Sequence, residues 1–94
     1  MNVIGLGKAG CKISAALEKY PQYNCYKIDV GATGERCYNF PLYETSEEYE
    51  EKVPDLKHFF KNIEGEILFI LAGGGSISCA SLRILEQLKL HPIT

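Results

Sequence analysis

Two stretches of this chain put glycine where a backbone could meet an anion. The first is Gly5-Leu6-Gly7-Lys8-Ala9-Gly10, within NVIGLGKAGCKISAALEKY. The second is Ala72-Gly73-Gly74-Gly75-Ser76-Ile77-Ser78, within ILFILAGGGSISCASLRILEQL. Each follows an apolar run and precedes residues at helical spacing. A turn from the carboxyl end of a strand into a helix exposes the first N–H groups of that helix, and the helix dipole adds partial positive charge there. Phosphates fit such a place, and glycine lets them approach the backbone closely. If the two strands lie side by side, both turns face one crevice and grip one polyphosphate from two sides.

The first stretch also fits G-x-G-x-x-G, and an acid, Asp29, ends the next apolar segment about 20 residues on. That is the pattern of a Rossmann NAD(P) site using Gly5, Gly7, Gly10 and Asp29, but it leaves the triple glycine unexplained. The second stretch is not a P-loop, because no lysine follows its glycines.

Other chemistry finds little support. Cys11, Cys25, Cys37 and Cys79 form no CxxC pair and have no close histidine, so they read as reduced thiols rather than disulfides or zinc ligands. His58 and His91 have no cysteine or carboxylate at ligand spacing. Ser76, Ser78 and Ser81 have no histidine partner that would make a nucleophile. The tyrosines cluster in the first half but are accompanied by more acids than bases, which favours core edges over base stacking. A net charge of −2 points away from nucleic acid and anionic membranes as partners. No apolar run approaches the roughly 18–20 residues of a membrane span, and no signal peptide is evident, so a cytoplasmic location is expected.

The elements that must position the glycine turns follow from periodicity. Asn2–Leu6 reads as a strand. Ile13, Ala16, Leu17 and Tyr20 recur at helical spacing until Pro21. Asn24–Val30 reads as a second strand, followed by a loop at Gly31 and Gly34 and a short extended piece ending near Pro41. Thr45 or Ser46 caps a short acidic helix, Pro54 interrupts, and Asp55–Asn62 reads as a second helix. Glu66–Ala72 is a continuous apolar run, the mark of a strand buried on both faces. Ser78–Leu90 carries Leu82, Leu85 and Leu88 at helical spacing, and HPIT opens another strand. The expected fold is α/β: one domain, 1–94, with a three-layer, mostly parallel sheet covered by helices on both faces. It is expected to be the first half of a larger nucleotide-binding domain, or a minimal descendant of one.

VIGLGKAGCKISAALE, YKIDV and ILFILAGGGSISCASLRILEQLKLHPIT together resemble the N-terminal nucleotide-binding half of the tubulin/FtsZ family of GTPases. That family opens with strand, glycine loop and helix, and its signature is an apolar strand running into GGGTGSG or GGGTGTG. Gly73, Gly74, Gly75 and Ser76 stand where GGGT would be. The resemblance covers both ends of the chain and is poor between Gly31 and Asn62. It implies that Gly7, Lys8, Ala9, Gly10, Cys11 and Lys12 lie along the loop that meets phosphates and nucleoside. It implies that Gly73, Gly74, Gly75, Ser76, Ile77 and Ser78 cradle phosphate, and that Asp29 lies near the base of the site. The implied ligand is GTP or GDP, with Mg2+ as a companion, and the implied partners are further copies in a filament. Ile77 and Cys79 depart from the signature, where the family has glycines, and Lys8 and Cys11 depart in the first loop. Catalytic residues are implied for none of these positions: the family's hydrolytic loop comes from a region beyond this sequence and from a neighbouring subunit. A third reading, from a different class, is a structural or assembly module that kept the fold without a ligand.

Overall fold

A computed structural model of the chain describes residues 1–72, 75–89 and 91–94. Its centre is an all-parallel sheet of four strands: β1 (Asn2–Leu6), β2 (Asn24–Asp29), β3 (Cys37–Asn39) and β4 (Ile67–Leu71), in the order β3-β2-β1-β4. β1 is central, with Leu6 level with Ile28 on one side and with Leu71 on the other. Ile93 bridges to Ile67 in parallel, and Phe69 N donates to Thr94 O at 2.8 Å, so HPIT does extend the sheet beyond β4.

The β2–β3 connection is short for parallel neighbours, which ordinarily need a crossover of a dozen or so residues. Residues 30–36 suffice because β3 pairs only with Lys27, Ile28 and Asp29. The chain therefore travels back only about 7–10 Å. Gly31, Gly34 and Arg36 turn it with positive φ, and Asn39 Oδ1 accepts from Gly31 N at 2.8 Å.

One set of alternate strand residues, Ile4, Leu6, Tyr26, Ile28, Phe40 and Ile67, builds the main core. Tyr49 of α2 (Ser46–Glu51) enters it, with Leu56, Phe60 and Ile63 from the following turns and Ile84 from α3 (Ser81–Gln87). Burying each such side chain contributes about 1.5–3 kcal/mol. Aromatic rings carry much of it: Phe40 stacks on Tyr49 with centroids 5.9 Å apart, and Phe59 meets Tyr26 and Tyr38 edge-on. Thr45 caps α2, its hydroxyl accepting from Glu48 N at 3.2 Å.

α1 (Gly7–Leu17) covers the other set of strand residues in a different way. Its buried positions are Gly7, Gly10 and Ser14, whereas Ile13 is 42% exposed and Ala16 and Tyr20 also face solvent. The large apolar residues at helical spacing are thus not the ones that seat this helix. The reason is a seam of bare backbone. A Cβ on Gly5 would lie 2.3 Å from Gly10 O, and one on Gly10 would lie 2.7 Å from Ile70 O. Only glycine permits that approach. Cys11 Sγ and Ser14 Oγ complete the seam by donating to Ile28 O at 3.5 Å and Tyr26 O at 3.1 Å.

Three further expectations are corrected. Asp55–Asn62 forms turns rather than a helix; at their start Asp55 Oδ1 accepts from Lys57 N at 2.9 Å and Gln87 Oε1 accepts from Leu56 N at 2.7 Å. β4 is not buried throughout; Ile67 is, Leu68 to Ile70 are half-buried and Leu71 is exposed. The helix expected over Ser78–Leu90 is a 3-10 turn, Ser76–Ala80, followed by α3. Its buried residues are Ile77, Ala80, Ile84 and Leu88, while Leu82 is exposed. Leu90 lies outside the described residues.

Candidate functional site

β1 and β4 are neighbours, so the two glycine turns emerge side by side at the carboxyl edge of the sheet. The chain winds from β1 out through β2 to β3, then crosses to β4 on β1's other side. The turns therefore sit at the switch point, where open α/β sheets bind ligands.

The first turn has no loop. Leu6 is the last strand residue and also the N-cap of α1, and Gly7, at φ 77°, begins the helix directly. No side chain caps these amides and no acid lies in the first turn. The helix's positive end is left unneutralised, in contrast to α2, whose first turn holds Glu47 and Glu48.

The second turn is described from Gly75 onward; Gly73 and Gly74 lie outside the described residues. Gly75 O accepts from both Ser78 N at 3.0 Å and Ser78 Oγ at 2.7 Å, which closes the start of the 3-10 turn. This places Ile77 against the first turn, with 8% exposure. A Cβ on Gly7 would lie 3.1 Å from Ile77 Cγ2.

Between the turns is a cavity of about 180 Å³ lined by Leu6, Gly7, Lys8, Ala9, Ala72, Gly75, Ile77 and Ser78. Six of the residues expected at the site therefore meet there: Gly7, Lys8, Ala9, Gly75, Ile77 and Ser78. Leu6 and Ala72 complete the lining; each directly flanks a glycine turn, which is the signal that identifies them. Gly10, Cys11, Lys12, Asp29 and Ser76 are not among the lining residues.

Gly10 lies under the helix and serves the seam with β4. Cys11 turns toward the sheet, and burial, aided by the nearby Asp29 carboxylate, pushes its thiol up to about 11. It is therefore a neutral thiol at physiological pH. Lys12 and Ser76 are exposed. Asp29 is half-buried at the end of β2, where its Oδ1 accepts from Val30 N at 2.9 Å and organises the return loop.

The described lining offers amides, the Ser78 hydroxyl and the Lys8 ammonium. Such a set can bind an anion. Among the described residues, no cluster of three or more His, Cys, Asp or Glu is placed to hold a metal ion.

Three larger depressions lie elsewhere among the described residues. One, of about 490 Å³, runs between α2 and α3 past Glu51, Lys57, Arg83 and Glu86. A second, also of about 490 Å³, lies by Asn2 and Asn24, at the amino ends of β1 and β2. A third, of about 410 Å³, lies by Glu18, Tyr23 and Arg36. None of them is lined by the first residues of α1 or of the 3-10 turn after β4.

Comparison of the chain with protein-family models, with curated proteins and with solved structures finds no significant match.

Proposed function

We propose that this chain is a nucleotide-binding domain of the tubulin/FtsZ type, with a three-layer, Rossmann-like arrangement, holding the phosphates of a guanine nucleotide between the β1–α1 and β4–α3 turns. The observation that carries the reading is the shared cavity: two glycine turns far apart in sequence line one recess at the switch point of the sheet. The uncapped start of α1 and Lys8 supply its positive potential. Guanine specificity, a Mg2+ companion and assembly with further copies of the chain rest on the sequence resemblance. Hydrolysis would depend on a catalytic loop supplied by a further region and a neighbouring subunit, as the resemblance implies.

Titration of GTP and NAD against the purified chain tests this. Lys8→Ala removes one exposed charge at the rim and is expected to weaken GTP binding about three- to tenfold, as for a charge-assisted contact. Gly75→Leu is expected to abolish it, because Gly75 lines the cavity and a Cβ there meets no atom within 4 Å, leaving the larger side chain free to compete with the phosphates for that space. A GTP affinity untouched by both variants rules the proposal out.

A second reading, a Rossmann NAD(P) site, is favoured by the placement of Asp29 at the end of β2, the strand next to β1. Saturable NAD binding that is lost in Asp29→Ala selects it. An ordered chain that binds neither ligand selects the structural-module reading.

A further inference from the structure

The geometry points to a docking site on the ledge between α1 and β4, fitted to an amphipathic helix of a partner protein that carries carboxylates beside its apolar stripe. α1 sits off-centre on its side of the sheet. Val3 and Cys25, which point to that side from β1 and β2, are buried. Leu68, level with Val3, and Ile70, level with Gly5, point the same way from β4 and are only half-buried. The helix leans toward β2: Cys11 reaches Ile28 O, Ser14 reaches Tyr26 O, and Glu18 pairs with Lys27. At about 100° per residue, those positions put Ile13 and Ala16 on the opposite flank, above β4, with Leu17 beneath them. Ile13 is 42% exposed and Ala16 faces solvent, while Leu17 is half-buried. Ile93 packs against the core on the far side of the sheet, so by alternation Pro92 and Thr94 extend the ledge beyond β4. An apolar wall thus stands over an apolar floor.

Length and charge select the occupant. Parallel sheets ordinarily carry helices across both faces. A helix as long as α1, 11 residues, spans about 16 Å, which matches the five residues of β4. Lys8 and Lys12, four residues apart and both exposed, form the crest of α1 above the ledge. Glu66, on the same side of β4 by alternation, stands at the opposite end, beside the amino edge of the sheet. Carboxylates on the docked helix therefore belong at the lysine end. A second copy of the chain fits poorly. Two ledges facing each other would set one lysine crest against the other, and like charges brought together oppose association. The acidic helix α2 cannot serve as the occupant either, because its one apolar residue, Tyr49, is buried in its own core.

Two fluorescein-labelled helical peptides of about 16 residues test this, with the same apolar stripe at i, i+3, i+4 and i+7. One carries glutamates beside the stripe and the other lysines. Fluorescence anisotropy follows both against the unaltered chain, Ile13→Gln and Lys12→Glu, each checked for its fold by circular dichroism. The glutamate peptide is expected to bind saturably, and at least about tenfold tighter than the lysine peptide. Ile13→Gln is expected to weaken it about tenfold, and Lys12→Glu about three- to tenfold. Sedimentation equilibrium of the unaltered chain alone is expected to give a monomer. Absence of saturable binding overturns the inference, as does equal binding of the two peptides or an affinity that neither variant changes. A dimer that Ile13→Gln dissociates also overturns it, and assigns the ledge to a second copy instead.

Discussion

Replacing Gly10 by alanine tests the backbone seam that seats α1. In most helix interiors this change stabilises, by about 0.8–1 kcal/mol from propensity. Here the new Cβ would lie 2.7 Å from the carbonyl oxygen of Ile70, well inside the roughly 3.5–4.0 Å of an ordinary heavy-atom contact. The obstruction is backbone on β4, so no side-chain rotation relieves it. The helix must lift, which stretches the Ser14–Tyr26 and Cys11–Ile28 hydrogen bonds. Overpacking of this kind costs about 1–3 kcal/mol. An unyielding backbone contact places the cost near the top of that range, leaving a net loss of about 2 kcal/mol after the propensity gain. For a domain of this size that lowers Tm by about 8–16 °C. Gly75→Ala is the control. Gly75 has φ −66° and a Cβ there meets nothing within 4 Å, so a gain of about 0.4–1 kcal/mol is expected. Thermal and urea unfolding followed by circular dichroism read both variants. A Gly10→Ala chain as stable as the parent would show that the close approach does not exist.

Gln87→Ala removes the amide that accepts from Leu56 N and donates to Pro54 O. A loss of about 1–3 kcal/mol is expected, with faster hydrogen exchange at the Leu56 amide, and unchanged exchange there would contradict the tie. Cys11 makes stability pH-dependent on the alkaline side. Its folded pKa, about 11, lies above the ordinary 9.0 of a cysteine thiol, so the protonated thiol is favoured by folding. That contribution is complete below pH 9 and fades as the pH rises toward 11. Subtracting the urea-unfolding profile of Cys11→Ala from that of the parent should isolate a decline confined to this window; a flat difference would count against it.

The strands were legible because apolar, β-branched runs between glycine and proline punctuation admit few other readings. Even the three residues of β3 fall within the short extended piece read as ending near Pro41. The glycine turns were legible for the same reason, and so was the Thr45 cap. What hydrophobic spacing misjudged was which side of a helix is buried. In α1 the smallest residues face the sheet, so the stripe of Ile13 and Tyr20 marks the solvent side. In the second turn, Ile77 stands out in the sequence only as a departure from the glycine-rich signature that the stretch resembles. Only the fold reveals that it is anchored in the core. The Asp55–Asn62 turns are tied at their start to Gln87, a partner 31 residues from Leu56 that no local pattern announces.

The central position of β1 has a consequence during synthesis. Of the four strands described, the one synthesised first is the one that needs partners on both sides, and β4, its second partner, follows roughly 60 residues later. At about 5–20 residues per second, β1 spends several seconds with one or both edges unpaired. A nascent chain arrested before Ile67 would carry an apolar strand open to any passing β-edge. Folding of this domain during synthesis is therefore expected to be sensitive to elongation speed and to holding chaperones.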